Sequence, residues 1–164
     1  MMLFMLVAAA SFAGPSLCSI GDLRESPGYK YRVGRIRAFV RQADVIARAT
    51  AVGPVADDSG RATFVRFAVT ERLRGPDTIT SVVLEGRLTP HDDFNTEAVP
   101  YQIVRREGQH GDCYARQYRQ GAEYLLLLHA AGKELRAQWA PLAPVNEQIR
   151  GAADPWVRWV RDHL

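Results

Sequence analysis

The spacing of apolar and polar positions changes period several times along the chain, and each change marks an element. Val33, Ile36, Phe39 and Val40 recur at helical spacing, while Arg32, Arg35, Arg37 and Arg41 fall largely on the other faces. This predicts an amphipathic helix whose basic side faces solvent. From Ala43 to Val52 the period drops to two, with Val45, Ala47, Ala49 and Ala51 alternating against Ile46, Arg48, Thr50 and Val52 before Gly53-Pro54 closes the strand. Asp57-Asp58-Ser59-Gly60 then supplies turn residues, so a hairpin leads into a second strand, Ala62 to Leu73. That strand carries Val65, Phe67, Val69 and Leu73 on one face and Arg66, Ala68, Thr70 and Arg72 on the other. Gly75-Pro76-Asp77 makes the next turn, and Ile79 to Leu84 reads as a third strand.

From Glu85 to Asp112 the periodicity breaks up, leaving only Tyr101 to Val104 strand-like; a connection of this length predicts a functional or decorative loop. Beyond Cys113 the run Glu123 to His129, with four consecutive leucines, predicts a buried fourth strand. Ala131-Gly132-Lys133 turns into a fifth, Glu134 to Leu142, ended by Pro141 and Pro144. The last element is a helix capped by Asp154 with Pro155 in its first turn; Trp156, Trp159, Val160 and His163 form one stripe, with Arg158 and Arg161 outside it. A tryptophan stripe at this spacing is read as packing on the sheet. The expected fold is therefore all-β, a five-stranded closed barrel of the OB type with an N-terminal amphipathic helix and a C-terminal helix packed on it.

Composition adds a compartment. The first thirteen residues carry no charge and end in small residues, Ser11 and Ala13, as a signal peptide does, although no basic residue precedes Leu3. The domain reading is thus a leader over 1–13 and one domain over 14–164, secreted or periplasmic. Gly14 and Pro15 interrupt the apolar run short of the about twenty residues a membrane span needs, so no span is expected in the mature chain. Leu17 before Cys18 is too large for a lipidation site. An exported chain with two cysteines, Cys18 and Cys113, is most simply one disulfide; two thiols in a cytosolic protein is the competing reading. Closing a loop of about a hundred residues would add about 4 to 5 kcal/mol in the chain-entropy model. Net charge is only +3, with lysine confined to Lys30 and Lys133, which gives no basic face for nucleic acid.

Ala43-Asp44-Val45-Ile46-Ala47-Arg48-Ala49, the segment Val65 to Pro76, Cys113, and Gly121-Ala122-Glu123-Tyr124-Leu125-Leu126-Leu127 together resemble the bacterial proteins of the tissue-inhibitor-of-metalloproteinases-like, netrin-module OB-fold family. The resemblance spans roughly Cys18 to Leu142. It implies a single netrin-module-like domain and a Cys18–Cys113 staple. It also implies a contact of Cys18 with the catalytic zinc of a metalloprotease, because in those inhibitors a terminal cysteine chelates the metal through its free amine and carbonyl. Ile20 stands where the inhibitors carry a further cysteine, and a cut exposing Cys18 would place Leu17 and Pro15 at the cleavage positions.

Catalytic patterns are absent from the sequence. His91, His110, His129 and His163 lack paired zinc-ligand spacing, and there is no Gly-x-Ser-x-Gly elbow or phosphate-cradling loop. The residues read as an ion site, His91-Asp92-Asp93 with Asp112, are more simply an exposed acidic loop. A carbohydrate or peptide face of an OB barrel would use Arg48, Arg66 and Tyr124. The expectation is a non-enzymatic, monomeric binding module without cofactor or resident metal. Its partner would be an extracellular or periplasmic protein such as a metalloprotease, or else a surface polymer or protein held by the 87–112 loop.

Overall fold

From Tyr124 to Leu128 every side chain is buried, which requires cover on both faces of one strand. The computed structural model supplies that cover. It describes residues 35–56, 59–60, 63–110, 113–132 and 134–164. The leader 1–13, Cys18 and the helix start at Val33 lie outside the described residues, and so do Asp57-Asp58, Asp112 and Lys133.

Helix α1 (Ile36–Gln42) precedes the hairpin of β1 (Val45–Val55) and β2 (Phe64–Arg74), followed by β3 (Ser81–Glu85). Next come β4 (Arg87–Thr89), the short α2 (Arg106–Gln109) and β5 (Gln117–Arg119). The chain ends with β6 (Glu123–Ala131), β7 (Glu134–Ala137), β8 (Asn146–Ile149) and α3 (Pro155–Arg161). The main sheet is antiparallel in the order β3-β2-β1-β6-β7, with β8 also on β6; β4 and β5 form a separate parallel pair.

On one face, Ala47, Ala49, Phe67, Val82, Leu84, Tyr124, Leu126 and Leu128 enclose a core completed by Tyr118. On the other, Ile46, Leu125 and Leu127 pack against Ile36 and Val40 of α1 and Trp156, Val157 and Val160 of α3. The leucine run is thus split by parity, even positions into the first core and odd positions under the helices. Irregularities between Ile46/Ala47 and Arg48/Ala49 change the phase of the β1–β2 pairing. In consequence Leu73 packs with the helical core and not on the face shared by Val65 and Phe67. Asp154 caps α3 as its position suggests, accepting from Trp156 N at 2.9 Å. Trp159 and His163 stack at 4.1 Å on the same stripe.

Three expectations need revision. No ladder among the described residues joins β3 to β7, so no closed barrel is hydrogen-bonded among them, although Cα atoms of the two edges come within 8 Å. The fifth strand ends at Ala137, because Trp139 N turns back to Ala137 O at 2.7 Å and takes the chain out of the sheet. The 87–112 region is not a free loop: it contains β4 and α2 and buries Asn95, Tyr101, Ile103, Val104 and Arg105.

Gly86 fixes the seat of the small parallel pair. Its φ is +148°, and a Cβ there would collide with Arg116 O and lie 2.5 Å from the Tyr118 ring. Gly121, at φ +78°, has open space around the same position. Gly86→Ala is therefore expected to cost about 2–4 kcal/mol, from the positive-φ backbone and the clash together, against about 1–2 kcal/mol for Gly121→Ala. Urea unfolding midpoints of the two variants check the difference.

Candidate functional site

Two places concentrate chemistry: a buried polar latch and an open groove. The latch is built by β8, whose residues Asn146, Glu147 and Gln148 are all buried. Asn146 Nδ2 donates to Ala115 O (3.0 Å) and to the Tyr118 hydroxyl (2.9 Å). Glu147 accepts from Arg105 N (3.1 Å) and from Asn95 Nδ2 (2.9 Å). Gln148 Oε1 accepts from Asp93 N at 2.7 Å, and its amide donates to Asp92. A short strand with three consecutive polar residues therefore clamps the 92–105 and 114–118 segments onto β6.

At the centre is Arg105, fully buried. Its guanidinium donates to Asp93 Oδ2 (3.1 Å), Gln117 O (3.0 Å), Ala115 O and, through Nε, Asn146 O (3.3 Å). It also lies 5.4 Å from the ring centres of both Tyr118 and Tyr124. Burial pulls this group toward losing its proton, but the negative charges of Glu147 and Asp93 outweigh that and raise its pKa. Burial likewise pushes the Glu147 carboxyl up to about 7, opposed by Arg105 and by the two N–H donors that favour the anion. Asp92 is held below the usual carboxylate range by its hydrogen bond from Gln148 and its pair with Arg119 at 2.9 Å.

The groove lies at the unpaired seam. It encloses about 710 Å³ between β3 and β7, with Phe64, Leu84, Leu135 and Trp139 as apolar walls and Glu85 and Arg136 among the charged residues along it. Trp139 meets the Tyr114 ring edge-on at 5.7 Å, next in sequence to Cys113. Cys113 itself is half-buried, has φ +70°, and its carbonyl accepts from Leu142 N at 2.8 Å. The groove and the approach to Cys113 are thus neighbours through one aromatic pair. The Cys18–Cys113 bridge and the Cys18 zinc contact lie outside the described residues.

The other sequence-selected residues are scattered. Asp92 and Asp93 serve the latch, while His91 is exposed with its backbone N bonded to Thr89. No group of three or more His, Cys, Asp or Glu side chains among the described residues is placed to hold a metal ion. Arg48, Arg66 and Tyr124 do not form one face. Tyr124 is buried in the first core, and Arg66 is exposed. Arg48 joins Glu71 (2.7 Å) and Glu123 (3.0 Å) in an ion cluster that Arg161 of α3 extends through Glu71 (2.8 Å). Arg105, Asn146, Glu147 and Gln148 are not legible as a set in the sequence, since nothing in the polar tripeptide 146–148 signals burial. No helix among the described residues is long and apolar enough to cross a membrane.

Removing the guanidinium by Arg105→Ala takes a donor from Asp93 and from the carbonyls of Ala115, Gln117 and Asn146, and takes the opposing positive charge from buried Glu147, and is expected to cost about 3–5 kcal/mol in thermal or urea unfolding. The pH response has a defined sign. Because Glu147 titrates in the folded chain near 7 and near its ordinary 4.5 when unfolded, its contribution favours folding fully below the lower value and is lost as pH rises through the upper one. Glu147→Gln should flatten the stability change between these two pH values, measured by urea midpoints across that range. Asp92 acts in the opposite sense at more acid pH and does not overlap this window.

No family model matches the sequence and no curated protein matches it.

Proposed function

We propose that this chain is an exported, disulfide-stapled binding module of the OB type whose ligand is a protein, with zinc-metalloprotease inhibition as the most specific form of that activity. The observation that carries the reading is the groove of about 710 Å³ between β3 and β7, the two edge strands of the sheet among the described residues. A concave site with aromatic and aliphatic walls and a charged rim has the make-up of a recognition pocket. The strand order supports the scaffold. An OB fold is a five-stranded, partly open Greek-key barrel, and a β3-β2-β1-β6-β7 sheet whose terminal strands approach without pairing fits that description.

The inhibitor form draws on the position of Cys113. A bridge from Cys113 to Cys18 would bring the start of the mature chain to the end of the molecule where Tyr114 meets Trp139 and the groove begins. Binding of a surface polymer by the 87–112 region draws less support, because Asp92, Asp93, Asn95 and Arg105 are engaged by internal partners.

Intact-mass analysis of the exported protein, before and after reduction, is the test. The expected product lacks residues 1–13 and gains the mass of two hydrogens on reduction; a retained leader or two free thiols overturns the exported, stapled module. Inhibition by zinc chelation requires in addition a start at Cys18, with activity against a zinc endopeptidase that acetylating the terminal amine abolishes. A start at Gly14 removes that form and leaves the groove as the binding site.

A further inference from the structure

The net charge of +3 conceals how the cations are placed. Helices α1 and α3 cover the same side of the sheet, and together they present Arg35, Arg37, Arg41, Arg158 and Arg161, all exposed, against one exposed acid, Asp162. This excess is larger than that of the whole chain, so the remainder is on balance slightly acidic. The ends of the two helices also converge. Arg74 donates to the carbonyls of Val40 (2.6 Å) and Arg41 (3.1 Å) where α1 closes, and Arg161 of α3 reaches Glu71 at 2.8 Å. Glu71 and Arg74 are three residues apart on β2, about 10 Å at strand rise. The arginines of both helices therefore form one patch.

Only part of this placement serves folding. Glu71 neutralises Arg161, and Arg41 and Arg158, in the last turns of their helices, complement the helix dipoles. Arg35 and Arg37 do the reverse. They occupy the N-cap and first turn of α1, where a cation is unfavourable, with no acid in that turn and no side-chain cap. Arg37 also stands one turn from the like charge of Arg41. No ion pair among the described residues engages Arg35, Arg37, Arg41 or Arg158. The nearby Asp44 is held by Ala130 N at 2.8 Å.

We propose that the α1–α3 face docks the protein on an anionic phospholipid surface. Arg35, Arg37, Arg41 and Arg158 meet headgroup phosphates, to which guanidinium forks are suited. Trp159, part-exposed, and Leu164, 46% exposed, belong to the same stretch as Arg158 and rest at the boundary between headgroups and acyl chains. That apolar pair favours a bilayer over a soluble polyanion, which would offer Leu164 nothing. The groove opens on the first core, on the other side of the sheet, so this surface is independent of the protein-binding reading.

Co-sedimentation with vesicles of phosphatidylglycerol and phosphatidylcholine is the test. A chain beginning at Gly14 is used, because the apolar residues 1–13 would bind lipid themselves. Binding is expected at low salt, is lost at high salt as the exposed charges are screened, and is absent on phosphatidylcholine alone. Arg41→Gln and Arg158→Gln should each weaken it about fivefold, the worth of one cation near an anionic surface. Arg87→Gln, exposed on β4 beside the first core, should leave it unchanged. Arg37→Glu separates docking from folding. It suits the helix dipole and pairs with Arg41, so its urea midpoint should hold or rise while vesicle binding falls about twenty-five-fold. No sedimentation with anionic vesicles, equal binding to phosphatidylcholine alone, or an equal loss from Arg87→Gln overturns the proposal. Retention on heparin without vesicle binding replaces the bilayer with a soluble polyanion and overturns it as well.

Discussion

A guanidinium with no exposed surface is the constraint on which the second half of this molecule depends. Taking such a charge out of water costs several kcal/mol unless its N–H groups find acceptors in fixed positions. Here those acceptors come from Asp93, from the carbonyls of Ala115 and Gln117, and from the carbonyl of Asn146, so three separate stretches must arrive together. None of the three forms a long element of its own. β5 has three residues, β8 four, and the stretch around Asp93 only one bridge, between Phe94 and Gln148. Arg105 replaces the secondary structure they lack, and it does so while lying over Tyr118 and Tyr124, the aromatic floor of the first core. The polar latch and the apolar core are therefore one cooperative unit.

The sheet above this floor is covered on both sides, and the strand that divides the two cores is β6. On its inner face its own Tyr124 meets Phe67 and Tyr118, and those two meet each other, edge to face at 4.9 to 5.7 Å, an arrangement that aromatic quadrupoles favour. Its outer neighbours are the helices. Tyr101, Trp156 and Trp159 continue outward as stacked or tilted rings, tying the 87–112 region to α3. Trp139 packs against both cores at the place where β7 leaves the sheet.

Periodicity reveals an element when burial is decided by the element's own pattern, which is why some parts of this fold are legible in the chain and others are not. The β1–β2 hairpin, β3, the leucine strand, the turn into β7 and the capped final helix all carry their face assignments in their own residues. β8 does not. Asn146-Glu147-Gln148 is polar at every position, and its burial depends on partners at 92–105 and 114–118 that no local pattern announces. Arg105 is hidden for the same reason, as one of two adjacent arginines in a stretch without period. A closed barrel reads too much into strand order, which says which strands are neighbours but not whether the last two meet closely enough to bond. Leu73 departs from the face its alternation predicts because the irregular β1–β2 register, invisible in one strand's sequence, shifts the phase.

The seam stays open because of the lengths and charges of its two edges. β7 has four residues because Trp139, drawn toward both cores, folds back on Ala137 and consumes the carbonyl that a longer strand would present to β3. β3 has five and is held at its end by two backbone bonds, Gly86 N to Thr63 O and Arg87 N to Arg116 O, both at 2.9 Å. Direct pairing needs strand axes about 4.8 Å apart along several consecutive residues. Two edges this short, each anchored at the end by a packed residue, can approach without reaching that spacing along their length. The exposed Glu85, Glu134 and Arg136 then do for the open seam what closure does for a full barrel, keeping bonding-competent edges from joining indiscriminately. An opening maintained by anchors and guarded by charge retains its hydrogen-bonding capacity without exposing a long, flat edge.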